Sequence, residues 1–241
     1  MRKAIVLQHM DHDHPGRFLD FFAEDGIVPR QIRLFDREEI PSLAGYDFMF
    51  VLGGAQDTWQ EDQHPWLKAE KQAIREWVWE RAKPYFGVCL GHQLLCTALG
   101  GEVALADESE VGVFDVEVAE DGKEHELFRG LPQRMKVMQW HLAEVKRAPQ
   151  EAKVLAASAR TQVQCVAIDS HAVGTQFHCE FSAQTMAGWS SLPGYIENLE
   201  KHLGPRAYEQ LIAEAMPLMP QMANATRQLY NNLMKASGFK R

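Results

Sequence analysis

This sequence has few cysteines, no apolar run long enough to cross a membrane and no excess of positive charge, and each shortage removes a class of protein. Four cysteines among 241 residues are too few for a disulfide framework, and their spacings match no zinc pattern. They are expected to be reduced thiols in a cytoplasmic chain. The opening "MRKAIVLQHMDHDHPG" has only "AIVL" before polar residues arrive, which is too short for the core of a signal peptide. No segment approaches membrane-spanning length, so no membrane partner is expected. The net charge is −8, with acids spread along the chain, so the basic footprint of a nucleic-acid binder is missing and a small polar substrate suits it better. Low-complexity tracts and internal repeats are also lacking, which excludes solenoids and long linkers. What remains is one large α/β core with an appendage.

Short apolar segments at Lys3 to Gln8, Arg30 to Leu34, Phe48 to Leu52 and Tyr85 to Val88 read as strands. Between them, "RFLDFFAEDG" and "PWLKAEKQAIREWVWERA" read as helices, the second with Leu67, Ile74, Trp77 and Val78 on one face. Strand and helix in alternation predict a parallel sheet covered on both sides, with ligands at the carboxyl ends of its strands. Beyond Gly101 the segments "VGVFDVEV", "RMKVMQW", "KVLAAS", "VQCVAI" and "VGTQF" read as further strands, some antiparallel. The tail reads as helices, "GYIENLEKHL", "PRAYEQLIAEAM" and "PQMANATRQLYNNLMKAS", with proline at helix starts. The division expected is a domain over 1–192 and a helical extension over 193–241 packed on it. The tryptophans of "WVWE" or the methionines of "EAMPLMPQM" could serve a homodimer, or the tail could cover the edge of the site.

In "PYFGVCLGHQLLCTALGG", Cys89 stands between Gly87 and Gly91 where a strand gives way to a helix. A lone cysteine is more often a packed core residue, and that reading is kept for Cys96 and Cys165. At Cys89 the G-x-C-x-G spacing is the cysteine counterpart of a nucleophile elbow, in which small residues let the chain double back and expose the reactive atom. The free N–H groups of the helix start favour the thiolate. A thiolate needs a base, and "GTQFHCEF" supplies His178, with Glu180 two residues on. On a strand the two share a face, so the carboxylate can orient the imidazole. The strand running into Gly53 and Gly54 can expose backbone N–H groups at the same edge, forming an oxyanion hole with the amide of Leu90.

On these residues, and on "VLGG", "VMQWH" and "ELFRGLP", the sequence resembles the class I glutamine amidotransferases of the Cys-His-Glu triad type. It looks like the stand-alone branch similar to the amidotransferase portion of GMP synthase, including γ-glutamyl peptidases. Smaller echoes are "LQH" followed by "PG", and "HPWLKAE". The resemblance spans roughly Lys3 to Phe181. It implies an open, mostly parallel, flavodoxin-like sheet with helices on both faces, plus the C-terminal helices, and no cofactor. It further implies that Cys89 attacks the side-chain amide of a glutamine-like substrate, that His178 protonates the leaving amine while Glu180 orients it, and that water then hydrolyses a γ-glutamyl thioester. Gly54 and Leu90 would hold the oxyanion. Gly53, Gln93 and the backbone around Trp140 and His141 would contact the glutamyl head.

The sequence departs from the family pattern twice. Cys179 stands where a proline is usual between the histidine and the glutamate, and Leu142 and Ala143 replace the glycine and aspartate that usually follow His141. The second change removes an acid from the substrate rim. It favours a self-sufficient enzyme acting on a γ-glutamyl compound over one that passes ammonia to a synthetase partner. A non-catalytic binding protein that kept the fold is the competing reading. Another elbow hydrolase would place its acid between nucleophile and histidine, whereas here Glu180 follows His178. His9, Asp11, His12, Asp13 and His14 have metal-ligand chemistry, but a polar loop leaving the first strand is expected there anyway, and no metal is expected.

Overall fold

The computed structural model describes residues 2–190 and 195–239. Five strands run parallel side by side: β1 (Arg2–Gln8), β2 (Ile27–Arg33), β3 (Phe48–Val51), β4 (Tyr85–Val88) and β9 (Ala172–Thr175). The sheet continues antiparallel through β8 (Cys165–Ile168), β7 (Ala152–Ala157), β5 (Glu102–Val118) and β6 (Arg134–Arg147). The spatial order is β2-β1-β3-β4-β9-β8-β7-β5-β6. The expected α/β sheet is thus mixed, its parallel half in the first hundred residues and β9, its antiparallel half after Gly101.

Strand alternation sorts side chains to two cores. Val6, Phe48, Phe50, Phe86 and Val88 point to one face, against Phe18 and Phe22 of α1 (Phe18–Glu24) and Leu229, Tyr230 and Leu233 of α7 (Ala207–Ala236). Ile5, Leu7, Met49, Val51 and Tyr85 point to the other. There they meet Leu67 and Ile74 of α2 (Trp66–Arg75), and Leu90, Leu94 and Leu95 of α3 (Leu90–Ala98). A π-helical turn over Glu76–Glu80 extends α2 and buries Trp77 and Val78 on the same face as Leu67. Phe18 is the hub of the first core, its ring 4.5 Å from Phe50, 4.9 Å from Phe86 and 5.9 Å from Tyr230. Such pairs contribute roughly 0.5–1.5 kcal/mol each beyond the area they bury.

Further α-helices among the described residues are α4 (Glu120–Lys123), α5 (Ala183–Ser190) and α6 (Tyr195–Leu203). The boundary expected at 192–193 lies outside the described residues. The tail corrects one expectation: 205–216 and 220–237 are not two helices, each begun by a proline, because the single helix α7 runs from Ala207 to Ala236 with Pro217 and Pro220 inside it. Each proline frees the carbonyl four residues earlier, at Ala213 and Met216, and both of these lie on the exposed side where water can take the bond. The buried stripe of Leu211, Ala215, Met222, Thr226, Leu229 and Leu233 runs past them unbroken, and its packing outweighs the local cost. No helix among the described residues is long and apolar enough to cross a membrane.

Candidate active site

Register brings the site together. Leu7, Val51 and Gly87 are cross-strand neighbours on β1, β3 and β4, so His9, Gly53 and Cys89, each two residues further on, emerge side by side at the carboxyl edge. The parallel β9 delivers His178 and Glu180 to that same edge.

Cys89 stands between β4 and α3 with φ 50° and ψ −104°, a left-handed conformation that a β-carbon disfavours. Three hydrogen bonds hold it there: Cys89 N–H donates to Thr175 O (2.8 Å), Gln93 N–H to Cys89 O (3.1 Å) and Gly91 N–H to Leu52 O (3.1 Å). The flanking glycines are required by close approach. A β-carbon on Gly91 would lie 2.3 Å from the carbonyl oxygen of Val51, and one on Gly87 would lie 2.7 Å from the Gly91 carbonyl. The strand, turn and helix read from the sequence are therefore present, and the thiol sits at the bend. Its sulfur is 3.7 Å from the carbonyl oxygen of Trp140.

His178 and Glu180 correct a second expectation. They are not on a strand: β9 ends at Thr175 and the chain then turns, with Thr175 Oγ1 donating to Phe177 O (3.0 Å) and Cys179 N–H to the same carbonyl (3.2 Å). The turn still brings His178 Nδ1 to 2.6 Å from Glu180 Oε1. With Nδ1 so engaged, the imidazole keeps Nε2 for the Cys89 sulfur, its neighbour across Gly53. Burial pulls the His178 pKa down, but the Glu180 carboxylate and the Cys89 sulfur outweigh it and hold the imidazolium well above the usual range. The N–H at position 179, which a proline would lack, is used in the turn. Cys179 O accepts from Thr226 Oγ1 of α7 (3.1 Å), and burial pushes its thiol up to about 12. Cys96 and Cys165 are wholly buried core residues with thiols pushed up by burial. His92, next to the elbow in sequence, is pushed down to about 3 by burial and is 3.3 Å from Val163 O, so it is no rival base.

Gly53 lies between the two reactive groups: a β-carbon there would be 3.3 Å from His178 Cε1, 3.7 Å from Cys89 Cβ and 3.7 Å from Asp13 Oδ2. Gly54 packs against Leu90, the first residue of α3, whose N–H has no carbonyl to meet within the helix. A cleft of about 350 Å³ opens over Cys89, with Gly54, Gln93, Trp140, Leu142 and Ala143 in its walls and Leu199 of α6 at its margin. The tail thus does reach the edge of the site.

Gln93 is turned to the wall, its Nε2 donating to Ala143 O (2.9 Å) and Gln176 Oε1 (3.1 Å). The His141 ring is also turned away from the cleft, Nε2 to Glu110 Oε2 (3.0 Å) and Nδ1 to Ala143 O (3.0 Å). Burial pushes the Glu110 carboxyl up, but His141, Ser158 and Gln164 outweigh it and leave it below the usual carboxylate range. At His141 it is therefore the backbone that borders the cleft. This buried network and the pair His9–Glu70 were not singled out from the sequence, although "LQH" and "HPWLKAE" carry the latter. In the first loop the ligand-type residues diverge: His9 turns to Glu70, Asp11 to Arg33 (2.7 Å), and His14 Nδ1 accepts from Gly16 N–H (2.9 Å). Among the described residues no cluster of His, Cys, Asp or Glu is placed to hold a metal.

The family model for "Glutamine amidotransferase class-I" matches residues 26–188. The glutamine amidotransferase-like protein YfeJ of Salmonella typhimurium is 29% identical over 192 residues, 78% of this chain and 79% of that protein. A glutamine-hydrolysing GMP synthase component of Thermococcus kodakarensis is 37% identical over 109 residues, 45% of this chain and 56% of the relative. The chain covers only 23% of the GMP synthase of Aeropyrum pernix, at 38% identity over 48% of its own length. A solved glutamine amidotransferase of Thermotoga maritima superposes with a TM-score of 0.86 at 28% identity, covering 98% of both chains.

Proposed function

The chain belongs to the class I glutamine amidotransferase family, and from that premise we propose that it hydrolyses the γ-amide of a γ-glutamyl compound through a thioester on Cys89. The observation that carries this reading is the convergence of an elbow thiol, an imidazolium and its carboxylate at one sheet edge. In the proposed sequence the Cys89 sulfur attacks the amide carbon, and the N–H groups of Gly54 and Leu90 receive the charge on its oxygen. His178 then protonates the departing nitrogen, the C–N bond breaks, and the γ-glutamyl group stays on sulfur. Water, losing a proton to His178, cleaves the thioester and releases the γ-carboxylate. Gly53, Gln93 and the backbone of Trp140 and His141 bound the glutamyl head.

Relatives named as components of a multi-chain GMP synthase suggest a synthetase that would take the ammonia. Ala143, which leaves no carboxylate at that position on the rim, favours a γ-glutamyl amide or peptide handled without one. A panel of γ-glutamyl amides and peptides, scored for glutamate release with and without candidate synthetases, separates the two. The enzyme reading itself is tested by incubation with a glutamine-like electrophile, such as a diazoketone analogue, followed by peptide mass spectrometry. The expected result is one adduct, on Cys89. An unlabelled Cys89 would favour a binding protein that has lost turnover.

Glu180→Gln is expected to lower kcat/KM by about 10²- to 10⁴-fold, less than loss of the nucleophile. It should also move the alkaline limb of the pH profile to lower pH. The proton that His178 gives to the leaving nitrogen is lost as pH rises through the imidazole pKa. The carboxylate raises that pKa, so removing its charge brings the loss on earlier. An unmoved alkaline limb would separate Glu180 from the titration of His178.

A further inference from the structure

A second histidine–carboxylate pair lies behind the first. His9 and Glu70 are both wholly buried, with His9 Nε2 2.8 Å from Glu70 Oε1 and His9 Nδ1 2.7 Å from the carbonyl oxygen of Gly53. A carbonyl oxygen can only accept, so Nδ1 must donate to Gly53, and Nε2 is left to meet the Glu70 carboxyl group. Burial lowers the pKa of this ring, but Glu70, with the Gly53 carbonyl, outweighs burial and raises it, which favours the imidazolium. The imidazole is further held by stacking on Trp66, centroids 5.4 Å apart. A buried ion pair of this kind gives little net stability, and its presence calls for another account.

We propose that His9, held by Glu70, is a positioning residue for the oxyanion hole, fixing the Gly53–Gly54 peptide so that the Gly54 N–H faces the amide under attack. In a trans peptide the C=O and the following N–H point in opposite directions. The Gly53 carbonyl is drawn toward His9, away from the cleft, so the Gly54 N–H is turned the other way. Glycine at both 53 and 54 leaves the peptide free to rotate, and an unrestrained Gly-Gly unit would present its carbonyl to the oxyanion part of the time. Gly54 has no alternative to glycine there, since a β-carbon would sit 2.8 Å from His9 Cβ and 2.8 Å from Leu90 Cδ2. The donor–acceptor chain runs from α2 through the end of β1 to the end of β3, linking three rigid elements to one N–H.

This inference rests on the amide-hydrolase reading, and the test keeps the two apart. His9→Phe with Glu70→Leu replaces the pair by apolar groups of similar volume and leaves no buried charge. His9→Asn with Glu70→Leu restores a donor at the Nδ1 position. With a γ-glutamyl p-nitroanilide as substrate, the first variant is expected to lose about 10²- to 10³-fold in kcat with KM within about twofold, the effect of removing one oxyanion donor. The second should regain at least tenfold of that loss. Alkylation of Cys89 by iodoacetamide, which forms no oxyanion, should proceed at the wild-type rate in both. Equal kcat in the two variants, or alkylation falling in parallel with kcat, would overturn the proposal. Should the phenylalanine variant not fold, His9→Leu with Glu70→Leu takes its place. If the wild type cleaves no γ-glutamyl compound, the amide-hydrolase reading falls. The crystal structure of the apolar variant then decides the role of His9: a Gly53 carbonyl still pointing toward position 9 rejects it, and a rotated peptide supports it.

Discussion

Cys89→Ser is expected to abolish γ-glutamyl amide hydrolysis, by about 10⁴-fold or more in kcat, while the protein stays folded. The two halves of this expectation have different origins. Activity is lost because a serine hydroxyl holds its proton far more tightly than a thiol, and the neighbouring imidazole is already kept protonated by Glu180 and so has little capacity to remove it. The fold is kept because the conformation at residue 89 is set by backbone bonds to Thr175 and Gln93, and the sulfur adds a 3.7 Å contact to the Trp140 carbonyl and its place beside His178. Glutamate release and the melting temperature, measured on the same preparation, test both halves. Retained hydrolysis would move the nucleophile elsewhere in the molecule, and a collapsed melt would mean that the sulfur holds the elbow together. Cys96→Ala is the matched control. Its thiol is buried in the second core, so the loss there should be in stability and not in turnover.

The difference between Cys89 and Cys96 was legible in the sequence because an elbow is a local object. Its strand, turn and helix occupy adjacent residues, and the glycines that permit the close approach flank the nucleophile directly. His178 and Glu180 were legible for a less secure reason. Spacing two suggested a strand face, and the pair does meet, but through a turn held by Thr175 and Phe177 that the alternation rule does not describe. The helical tail was misdivided for the opposite reason. Pro217 and Pro220 are strong local stop signals, and what overrides them is the buried stripe from Leu211 to Leu233, visible only once the sheet it covers is in place. The polar networks were the least legible part. Glu70 is 61 residues from His9 and Glu110 is 31 from His141, and no local pattern ties a buried carboxylate to a histidine so distant. The strand carries His141 to the cleft over Cys89, yet the bond to Glu110 turns its ring inward and leaves the backbone to border the cleft.

Gly91→Ala is expected to be the more damaging of the two methyls that could be added to the elbow glycines, costing about 3 kcal/mol or more, equivalent to roughly 10 °C in Tm. The new β-carbon would lie 2.3 Å from Val51 O and 2.9 Å from Val51 C, both backbone atoms of a central strand, so no side-chain rotation relieves the overlap. Nor can residue 91 retreat. Its N–H is bonded to Leu52 O (3.1 Å) and its carbonyl accepts from the buried hydroxyl of Tyr85 (2.8 Å), so a shift that clears Val51 strains one bond or the other. Because Cys89 is two residues away on the same turn, whatever displacement the chain adopts reaches the sulfur. Catalysis should then fall in the fraction that remains folded, about 10²-fold for a displacement near 1 Å. Gly188→Ala, in α5 with open space around the position, should by contrast change stability by no more than about 1 kcal/mol. Thermal melts of the two variants, with the rate of Cys89 acylation measured well below the melt, separate the folding effect from the positional one. If Gly91→Ala melted with the wild type and acylated at the wild-type rate, β3 and α3 would have room to part, and close approach of those two elements would no longer explain why the thiol sits where it does.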